Sequence, residues 1–424
     1  MSRQMKDSGI EWIGEIPADW TLGRIGQLYS ERREKVSDTE YAPLSVTMQG
    51  IVPQLSTAAK TDAHDDRKLV KKGDFAINSR SDRRGSCGVS PIDGSVSLIN
   101  TILCPHDDMN AGYYNWLFHT SMFADEYYKW GHGIVNDLWT TGWQEMKRIS
   151  IPVPAIEEQA VISNYLEQQC AHIDAVIEKT KASIEEYKKL KQAVITQAVT
   201  KGIRGDRPMK ASGIEWIGEI PADWSIQRFK NLGKCWNGLT YSPDDMCDEG
   251  NGTLVLRSSN IQNGKLVFDD NVYVNCDVPA KVKVHYQDIL ICSRNGSAKL
   301  IGKNAIIGEN VDAAFGAFMM VYRSVAPRYL RYILNSDVFM YNLSSFLTST
   351  VNQLTAGVFN NIKFPYTADV EEQEEIVRYL DDKCSSIDKL IDKKEQILIE
   401  MESYKKSLIY EYVTGKKEVP QSCR

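Results

Sequence analysis

The stretch MKDSGIEWIGEIPADW at residues 5–20 returns as MKASGIEWIGEIPADW at residues 209–224, so the chain contains an internal repeat. The two copies differ only at Asp7, which Ala211 replaces in the second copy. Each copy leads into a long stretch that differs between the two halves of the chain. A repeat of this kind indicates that one structural module occurs twice, so the rest of the chain is best examined for further repeated segments.

A second repeated segment follows each variable stretch. EEQAVISNYLEQQCAHIDAVIEK begins at Glu157 and aligns without gaps with EEQEEIVRYLDDKCSSIDKLIDK, which begins at Glu371, a spacing of 214 residues (371 minus 157). The same spacing relates the Val-Thr pair at 199–200 to the pair at 413–414. The order is therefore short motif, variable stretch and long motif, and then all three again.

The long motif is predicted to be a helix in both copies. Its apolar residues recur in steps of four and three, which is the seam spacing of a coiled coil. Acidic residues open each copy, where they suit the positive end of the helix macrodipole. Two related helices of this kind can pair as an antiparallel coiled-coil spacer, although an ordinary packed helix pair is the simpler alternative. The seam residues are Leu166, Ile173, Ile177 and Ile184 in the first copy, and Leu380, Ile387, Ile391 and Leu398 in the second.

The variable stretches are predicted to be two globular heads of mixed α and β structure. GDFAINSR at 73–80 is a short apolar strand that opens into a polar loop, and QDILICSR at 287–294 repeats this pattern, again 214 residues further on. The fold class is α+β, with two heads separated by two long antiparallel helices and related by a pseudo-twofold repeat. The predicted boundaries are 1–153 for the first head, 154–208 for the central helix, 209–364 for the second head and 365–424 for the distal helix.

Two pairs of polar segments in the heads are candidate binding sites. The loops after the two strands carry basic and amide side chains that suit phosphates and guanine edges. A second pair of segments precedes the long helices, and its Asn and Gln side chains suit adenine, while Trp139 is expected to pack rather than stack. Solvated surface loops are the alternative. The candidates are Arg80, Ser81, Arg83, Arg84 and Asn136 in the first head, and Arg294, Asn295, Ser297, Lys299, Lys303, Asn352 and Gln353 in the second.

Charge alone does not identify a nucleic-acid-binding protein here. The net charge is −6. Residues 1–153 hold 17 basic and 20 acidic residues (−3), and residues 207–364 hold 16 basic and 14 acidic residues (+2). Any DNA contact must therefore use local basic patches or basic partner subunits.

The sequence lacks the motifs that would indicate a membrane protein, a secreted protein, a zinc site or an enzyme. No apolar stretch approaches a membrane span, and the N-terminus has no secretory pattern, so a cytoplasmic protein without membrane contact is expected. The nine cysteines form no CxxC pair, which favours free thiols over a zinc site. No catalytic signature is present: the stretch from Gly296 to Lys303 fails as a phosphate-binding loop because Asn304 stands where Ser or Thr is needed. We expect no catalytic residues, no metal site and no directly bound cofactor.

Taken together, these motifs resemble the specificity subunits of type I restriction-modification systems. The resemblance covers nearly the whole chain and rests on SGIEWIGEIP at the head of each half, on the GDFAINSR and QDILICSR strand-loops, and on EEQ helices that end in VTKG or VTGK. One departure is that the second half leaves its head by FPYTADVEEQ, three residues longer after the proline than VPAIEEQ in the first half. This departure predicts that the start of the second helix differs.

The resemblance also implies a function. It implies a non-catalytic subunit whose two target-recognition domains each read one half of a bipartite, asymmetric site in double-stranded DNA. The helices would set the spacer and dock two adenine-methyltransferase subunits, with restriction or translocase subunits added in the full complex. S-adenosylmethionine, ATP and Mg²⁺ would bind to those partners. The alternatives are a coiled-coil adaptor that binds protein, an enzyme with an unrecognised site, and an antirestriction or silent variant of the same family.

Overall fold

The computed structural model describes residues 3–55, 64–133, 139–346 and 352–423. These residues form two compact units. Unit 1 comprises Met1–Lys181 together with Gln396–Arg424, and unit 2 comprises Ala182–Glu395. Each unit therefore holds one head, part of the helix that follows this head, and part of the other long helix.

The head of unit 1 is built from short strands and helices. Its strands are β1 (Met5–Asp7), β2 (Glu15–Pro17), β3 (Thr21–Arg24), β4 (Tyr29–Glu31), β5 (Lys35–Val36), β6 (Leu44–Thr47), β7 (Gly50–Pro53), β8 (Arg67–Val70), β9 (Phe75–Asn78), β10 (Cys87–Val89), β11 (Gly94–Val96), β12 (Asn100–Pro105) and β13 (Ser150–Val153). Its helices are α1 (Ile25–Leu28), α2 (Ala111–Phe118), α3 (Ser121–Lys129) and α4 (Trp143–Met146). The chain then enters the long helix α5 (Ile156–Lys201).

A four-stranded antiparallel sheet forms the centre of the first head, with the order β10-β9-β12-β4. All four residues of β9 are buried, as expected for a short continuous apolar run. The aromatic side chains of α2 and α3 pack on this sheet, and the rings of Phe75 and Phe118 lie 5.0 Å apart between centroids. Burial continues through Ser79, so the chain reaches the surface at Arg80, where the polar loop begins.

The head of unit 2 repeats this plan and adds to it. Its strands are β14 (Met209–Ala211), β15 (Glu219–Pro221), β16 (Ser225–Arg228), β17 (Gly233–Asn237), β18 (Met246–Cys247), β19 (Thr253–Leu256), β20 (Ile261–Gln262), β21 (Lys265–Leu266), β22 (Tyr273–Val274), β23 (Ile289–Cys292), β24 (Asn304–Ile306), β25 (Ala313–Phe315), β26 (Met319–Ser324) and β27 (Lys363–Tyr366). Its helices are α6 (Phe229–Leu232), α7 (Pro327–Leu334), α8 (Asp337–Phe346) and α9 (Ala356–Asn361), followed by the long helix α10 (Val370–Val413).

The central sheet of the second head has the order β24-β23-β26-β17, which matches β10-β9-β12-β4 strand for strand. The fully buried strand β23 takes the place of β9. The second head also has another four-stranded sheet, β18-β22-β19-β25, with its own apolar core around Val255, Val274 and Phe315. The corresponding cluster in the first head, around Leu44, Val70 and Ile102, contains fewer residues. The heads thus share a frame and differ in the sheet built onto it.

Parts of both long helices pack together within each unit, and they run antiparallel. In unit 1 the amine of Lys405 lies 2.6 Å from the carboxylate of Asp174, and the rings of Tyr165 and Tyr412 lie 4.8 Å apart. From Asp174 back to Tyr165 in α5, the contacted residue in α10 moves forward from Lys405 to Tyr412, which shows that the two helices run antiparallel. In unit 2, Lys191 makes the equivalent ion pair with Asp388 at 2.6 Å.

Seven of the eight seam residues are buried, and Leu398 is half-buried. The α+β fold class is confirmed: each unit holds one mixed α and β head together with antiparallel parts of both long helices. The distance that the helices set between the heads stays a prediction.

A repeated cluster, here called the Arg-Trp-Glu clamp, fixes each head to the start of its long helix. In unit 1 the clamp consists of Arg3, Trp20 and Glu158. The indole N–H of Trp20 donates to Glu158 at 2.8 Å, and Arg3 donates to the same carboxylate at 3.1 Å. The guanidinium of Arg3 also lies 5.4 Å from the centre of the Trp20 ring. The short and long repeated motifs are therefore parts of one contact.

The clamp of unit 2 consists of Arg207, Trp224 and Glu372. Trp224 donates its indole N–H to Glu372 at 2.9 Å, Thr367 donates its hydroxyl at 3.0 Å, and Arg207 pairs with the same carboxylate. The hydrogen bond from Arg207 to Glu372 raises the pKa of this arginine, although burial acts in the opposite direction. This carboxylate is fully buried, whereas that of Glu158 is partly exposed.

The far end of each long helix docks on a repeated hairpin. In unit 1, Lys416 follows α10 and donates to the carbonyl oxygens of Ile13 and Glu15 at 2.8 and 3.1 Å. In unit 2, Lys201 at the end of α5 donates to the carbonyl oxygens of Ile217 and Glu219. In unit 2 the chain continues directly from α5 into the hairpin of β14 and β15. In unit 1 the end of α10 contacts the hairpin of β1 and β2 without being next to it in the sequence.

The expected difference at the start of the second helix is wrong. Pro365 pairs with Ile226 in the strand register, just as Pro152 pairs with Leu22, so Pro365 corresponds to Pro152 and not to Pro154. The connection to α10 is longer by only one residue. Both helices begin one residue before their EEQ motif.

Within the described part of the chain, no helix has the length and apolar composition that a membrane span requires.

Candidate nucleic-acid interface

The candidate loop of the first head starts where β9 leaves the sheet. The main-chain N–H of Arg80 donates to the side-chain oxygen of Asn78 at 3.1 Å, which turns the chain outward. A single 3₁₀ turn then covers Ser81–Arg83, and Gly85 has a φ of 77° that favours glycine. The 3₁₀ turn and the glycine together set the course of the loop.

The structure brings the two candidate segments of the first head together. Arg80 forms an antiparallel bridge with Thr140, and the N–H of Ser81 donates to the carbonyl of Trp139 at 3.0 Å. The N–H of Trp139 donates in return to the hydroxyl of Ser81 at 3.2 Å. Trp139 itself is half-buried. Asn136, the remaining candidate of this head, lies outside the described residues.

The arginines of this loop differ in their surroundings. Arg84 pairs with Asp125, and its guanidinium lies 5.8 Å from the centre of the Tyr128 ring. Arg83 lies 3.8 Å from the carboxylate of Asp82. The side chain of Arg80 is exposed at the bridge to the second segment. Arg80 is accordingly the best placed of these arginines to contact a ligand, while Arg84 also holds the loop against α3.

The second head repeats this arrangement with different residues. Arg294 forms an antiparallel bridge with Gln353, and the N–H of Leu354 donates to the carbonyl of Ser293 at 2.7 Å. The side-chain amide of Asn352 donates to the carbonyl of Gly296 at 3.1 Å. The loop after β23 and the segment before the long helix therefore lie side by side, as they do in the first head.

A cleft of about 1030 Å³ opens beside these segments in unit 2. The guanidinium of Arg294 lies 5.1 Å from the centre of the exposed Phe318 ring. Asn295 is held at the wall of the cleft by a hydrogen bond of 3.2 Å from its amide to the hydroxyl of Ser258. A cleft with cationic, amide and aromatic groups suits the edges and methyl groups of bases. The residues that define it are Tyr241, Arg257, Ser258, Arg294, Asn295, Phe318 and Asn352.

The other candidates of the second head fall into two groups. Ser297 and Lys299 are exposed on the 3₁₀ turn after Gly296. Lys303 is half-buried, and its amine donates to the carbonyl of Ser258 at 3.2 Å. Lys303 thus ties the loop to the neighbouring segment. Burial raises the pKa of the Cys292 thiol beneath this loop, and the nearby Lys303 opposes the rise.

Sequence reasoning missed several residues near these loops. Arg257 lines the cleft of the second head and pairs with Asp270 at 2.9 Å. The segment TLVLRSS carries the signal, since it is an apolar strand that ends in Arg and Ser, like ILICSRN. In the first head, the exposed tip of the β6–β7 hairpin brings Met48 close to Gly85 of the arginine loop. No pattern in the sequence links Met48 to that loop.

Metal ligands do not gather in the described part of the chain. Within those residues, no three His, Cys, Asp or Glu side chains lie close enough together to hold a metal ion. That no cofactor binds directly stays a prediction.

Comparison with solved structures identifies the class of the fold. A chain from a structure on complex assembly and conformational transition of the type I restriction-modification system matches with a TM-score of 0.72 and 15% sequence identity. The match covers 95% of this chain and 99% of that chain. At this identity the likeness shows the fold alone, which is that of a component of a type I restriction-modification system. A scan against models of protein families found no match.

Sequence relatives narrow the class further. The type I restriction enzyme MjaVIII specificity subunit of Methanocaldococcus jannaschii is 28% identical over 426 aligned positions, which cover 95% of this chain and 94% of that protein. The EcoKI specificity subunit of Escherichia coli K12 is 28% identical over 211 positions, 47% of this chain and 44% of that protein. Over nearly its whole length the chain is therefore similar to a specificity subunit of a type I restriction-modification system, as the resemblance of its motifs predicted. The relatives are specificity subunits, which confirms the prediction of a non-catalytic subunit.

Proposed function

We propose that this chain is the DNA sequence-recognition subunit of a type I restriction-modification complex and that each head reads one half of a bipartite, asymmetric site. One observation carries the proposal. In each head, two polar segments far apart in the sequence meet at one surface through equivalent backbone bridges, Arg80 with Thr140 and Arg294 with Gln353. Duplicated surfaces with different side chains are what recognition of two different half-sites requires.

The side chains at these surfaces support recognition of base edges. A guanidinium can donate two hydrogen bonds to guanine, and an Asn or Gln amide can pair with adenine in the major groove. Arg80 and Arg294 occupy the same position in the two heads, so both half-sites are proposed to contain a guanine contact. The second head adds Asn352 and the cleft around Phe318, and its half-site therefore differs from that of the first head.

The long helices are proposed to set the spacer between the half-sites and to dock two adenine-methyltransferase subunits, with restriction or translocase subunits completing the complex. S-adenosylmethionine, ATP and Mg²⁺ are assigned to these partners. The charge distribution supports a complex in which this chain and its partner subunits both contact the DNA phosphates. With −3 on residues 1–153 and +2 on residues 207–364, the heads carry too little positive charge to bind phosphates strongly without help.

The deciding experiment is methylome sequencing of cells that express the chain with its methyltransferase. The proposal predicts a bipartite N6-methyladenine motif, and replacement of residues 225–364 by the second head of another specificity subunit should change one half of this motif only. A motif that changes in both halves, or no new methylation with a correctly assembled complex, would contradict it. The second outcome would favour a silent variant or a protein-binding adaptor.

A binding measurement tests the division of charge between subunits. Affinity for a duplex that contains the motif should rise strongly when the methyltransferase is added, and the salt dependence should steepen because more phosphates are contacted. Equal affinities and equal salt slopes for the free chain and the complex would refute the sharing of phosphate contacts, while leaving sequence recognition by the heads intact.

A further inference from the structure

Each head presents an apolar residue on a tight turn that is bonded to the segment carrying its exposed arginine. In the first head the turn is Ser97–Asn100, closed by a hydrogen bond of 3.1 Å from the N–H of Asn100 to the carbonyl of Ser97. In the second head it is Gly316–Met319, closed by the equivalent bond of 2.8 Å. Both turns lead into the same strand of the central sheet, β12 or β26.

The third residue of each turn is tied to the segment that carries the arginine. The carbonyl of Ile99 accepts hydrogen bonds from the N–H, at 3.1 Å, and from the hydroxyl of Ser79. The carbonyl of Phe318 accepts from the N–H and the hydroxyl of Ser293, at 2.9 and 3.0 Å, and also from the N–H of Arg294 at 3.0 Å. The same anchor therefore holds both turns against the arginine loop.

The side chains on these turns are apolar and exposed. Phe318 is 58% exposed, Leu98 is 38% exposed and Ile99 is 36% exposed. Turn centres normally take Gly, Pro, Asn, Asp or Ser, because these residues suit turn geometry and water. Single exposed apolar residues are common, but a rigid apolar turn at the same place in two diverged heads is a departure from local rules, and such departures concentrate at functional sites.

We propose that Ile99 and Phe318 are specificity-determining residues that pack against the 5-methyl group of a thymine in the major groove, next to the base that Arg80 or Arg294 contacts. The inference rests on the proposed DNA-reading function and deepens it. Apolar side chains contact the thymine methyl group in protein–DNA complexes. Three hydrogen bonds to the carbonyl of Phe318 fix its backbone, and its ring lies 5.1 Å from the guanidinium of Arg294.

The test uses the full chain in complex with its methyltransferase and duplexes that carry the motif identified by methylome sequencing. Each thymine of the motif is replaced in turn by uracil, which removes only the methyl group. We expect one thymine in each half-site at which uracil weakens binding about fourfold, the loss that corresponds to about one buried methylene-sized group. Phe318→Ala should remove this discrimination in the second half-site only, and Ile99→Ala in the first only.

Matched controls are available in both heads. Tyr286→Ala removes a side chain that is also 58% exposed but lies before β23, at the opposite end from Arg294. Ile92→Ala serves the first head, since Ile92 is 44% exposed in the turn between β10 and β11. Both controls should keep the full uracil effect. Phe318→Leu should retain part of it.

The outcomes separate the inference from the function on which it rests. If uracil has no effect at any position, or if Phe318→Ala and Ile99→Ala discriminate against uracil as the parent does, the assignment is overturned. A variant with reduced binding to thymine and uracil duplexes by the same factor also overturns it, because Phe318 would then only position Arg294 or bind a partner subunit. Absence of binding to any duplex that carries the motif would instead refute the proposed function.

Discussion

Replacement of Glu372 by alanine should destabilise unit 2 selectively. The carboxylate is fully buried and accepts hydrogen bonds from the indole of Trp224, the hydroxyl of Thr367 and the guanidinium of Arg207. Alanine removes the acceptor of all three donors at once. Trp224 and Thr367 are themselves buried, so water cannot replace the lost partner at either group.

The magnitude follows from these contacts. Removal of one partner of a buried ion pair costs about 3–5 kcal/mol, because the other charge stays buried without compensation. Arg207 keeps its contact with Asp223 at 2.6 Å, which limits the loss and favours the lower end of this range. We therefore expect Glu372→Ala to lower the free energy of unfolding of unit 2 by about 3 kcal/mol. Glu158→Ala should cost about 1–2 kcal/mol in unit 1, because that carboxylate is partly exposed and has fewer donors.

Hydrogen exchange followed by mass spectrometry, as a function of urea, measures this effect unit by unit. Peptides within 209–395 should lose protection in Glu372→Ala, while peptides within 3–153 should keep it. Glu371→Ala is the matched control, because Glu371 occupies the same first turn of α10 and is exposed. It removes the same helix-dipole contribution without the clamp. If Glu372→Ala behaves like Glu371→Ala, or if both units lose protection equally, the clamp does not act as described.

Three further predictions concern single residues. Arg294→Ala should weaken binding to the second half-site by about 1–3 kcal/mol and leave the first unchanged, as measured with duplexes altered in one half at a time. Burial lowers the pKa of His119, so below about pH 6.5 the unfolded state binds more protons than the folded state. Unit 1 should therefore lose stability as the pH falls from about 7 to about 5. In urea titrations, His119→Gln should make the stability of unit 1 depend less on pH. Gly415→Ala should destabilise unit 1 by at least about 1–2 kcal/mol in the same assay, because its φ is 71° and an added Cβ would lie 2.5 Å from Pro17, whereas Gly205→Ala, with open space around it, should be nearly neutral.

The sequence was informative wherever structure depends on periodicity or on repetition. The seam from Leu166 to Leu398 is visible because helix geometry brings every third or fourth residue to one face. The loops around Arg80 and Arg294 could be predicted because a buried strand is apolar, whereas the loop that follows it at the surface can be polar. Because each pattern occurs twice, the duplication strengthened each of these predictions and supported the resemblance to specificity subunits.

Contacts between distant segments could not be predicted in the same way. The bridge from Arg80 to Thr140 depends on the tertiary path of the chain, and so does the position of Ile99 beside Ser79. The clamps were missed although Arg3 and Arg207 keep the spacing of the short motif (207 minus 3 and 209 minus 5 are both 204), because their contacts with Glu158 and Glu372 depend on the tertiary path of the chain. The cleft of the second head lies beside the additional sheet β18-β22-β19-β25, and the first head has only a smaller apolar cluster in its place. Comparison of the two repeated halves therefore could not predict this cleft.

The division of each long helix between the two units has a consequence for protein synthesis. Unit 2 is a single continuous segment, Ala182–Glu395, whereas unit 1 needs Gln396–Arg424 to complete its core. The side chains of Leu408, Tyr412 and Val413 pack into the core of the first head, some 250 to 400 residues after the strands that they cover. The first head to leave the ribosome is therefore the last to finish folding. Until those residues emerge, its apolar surface for α10 stays uncovered, and this is the interval in which the nascent chain is most exposed to aggregation.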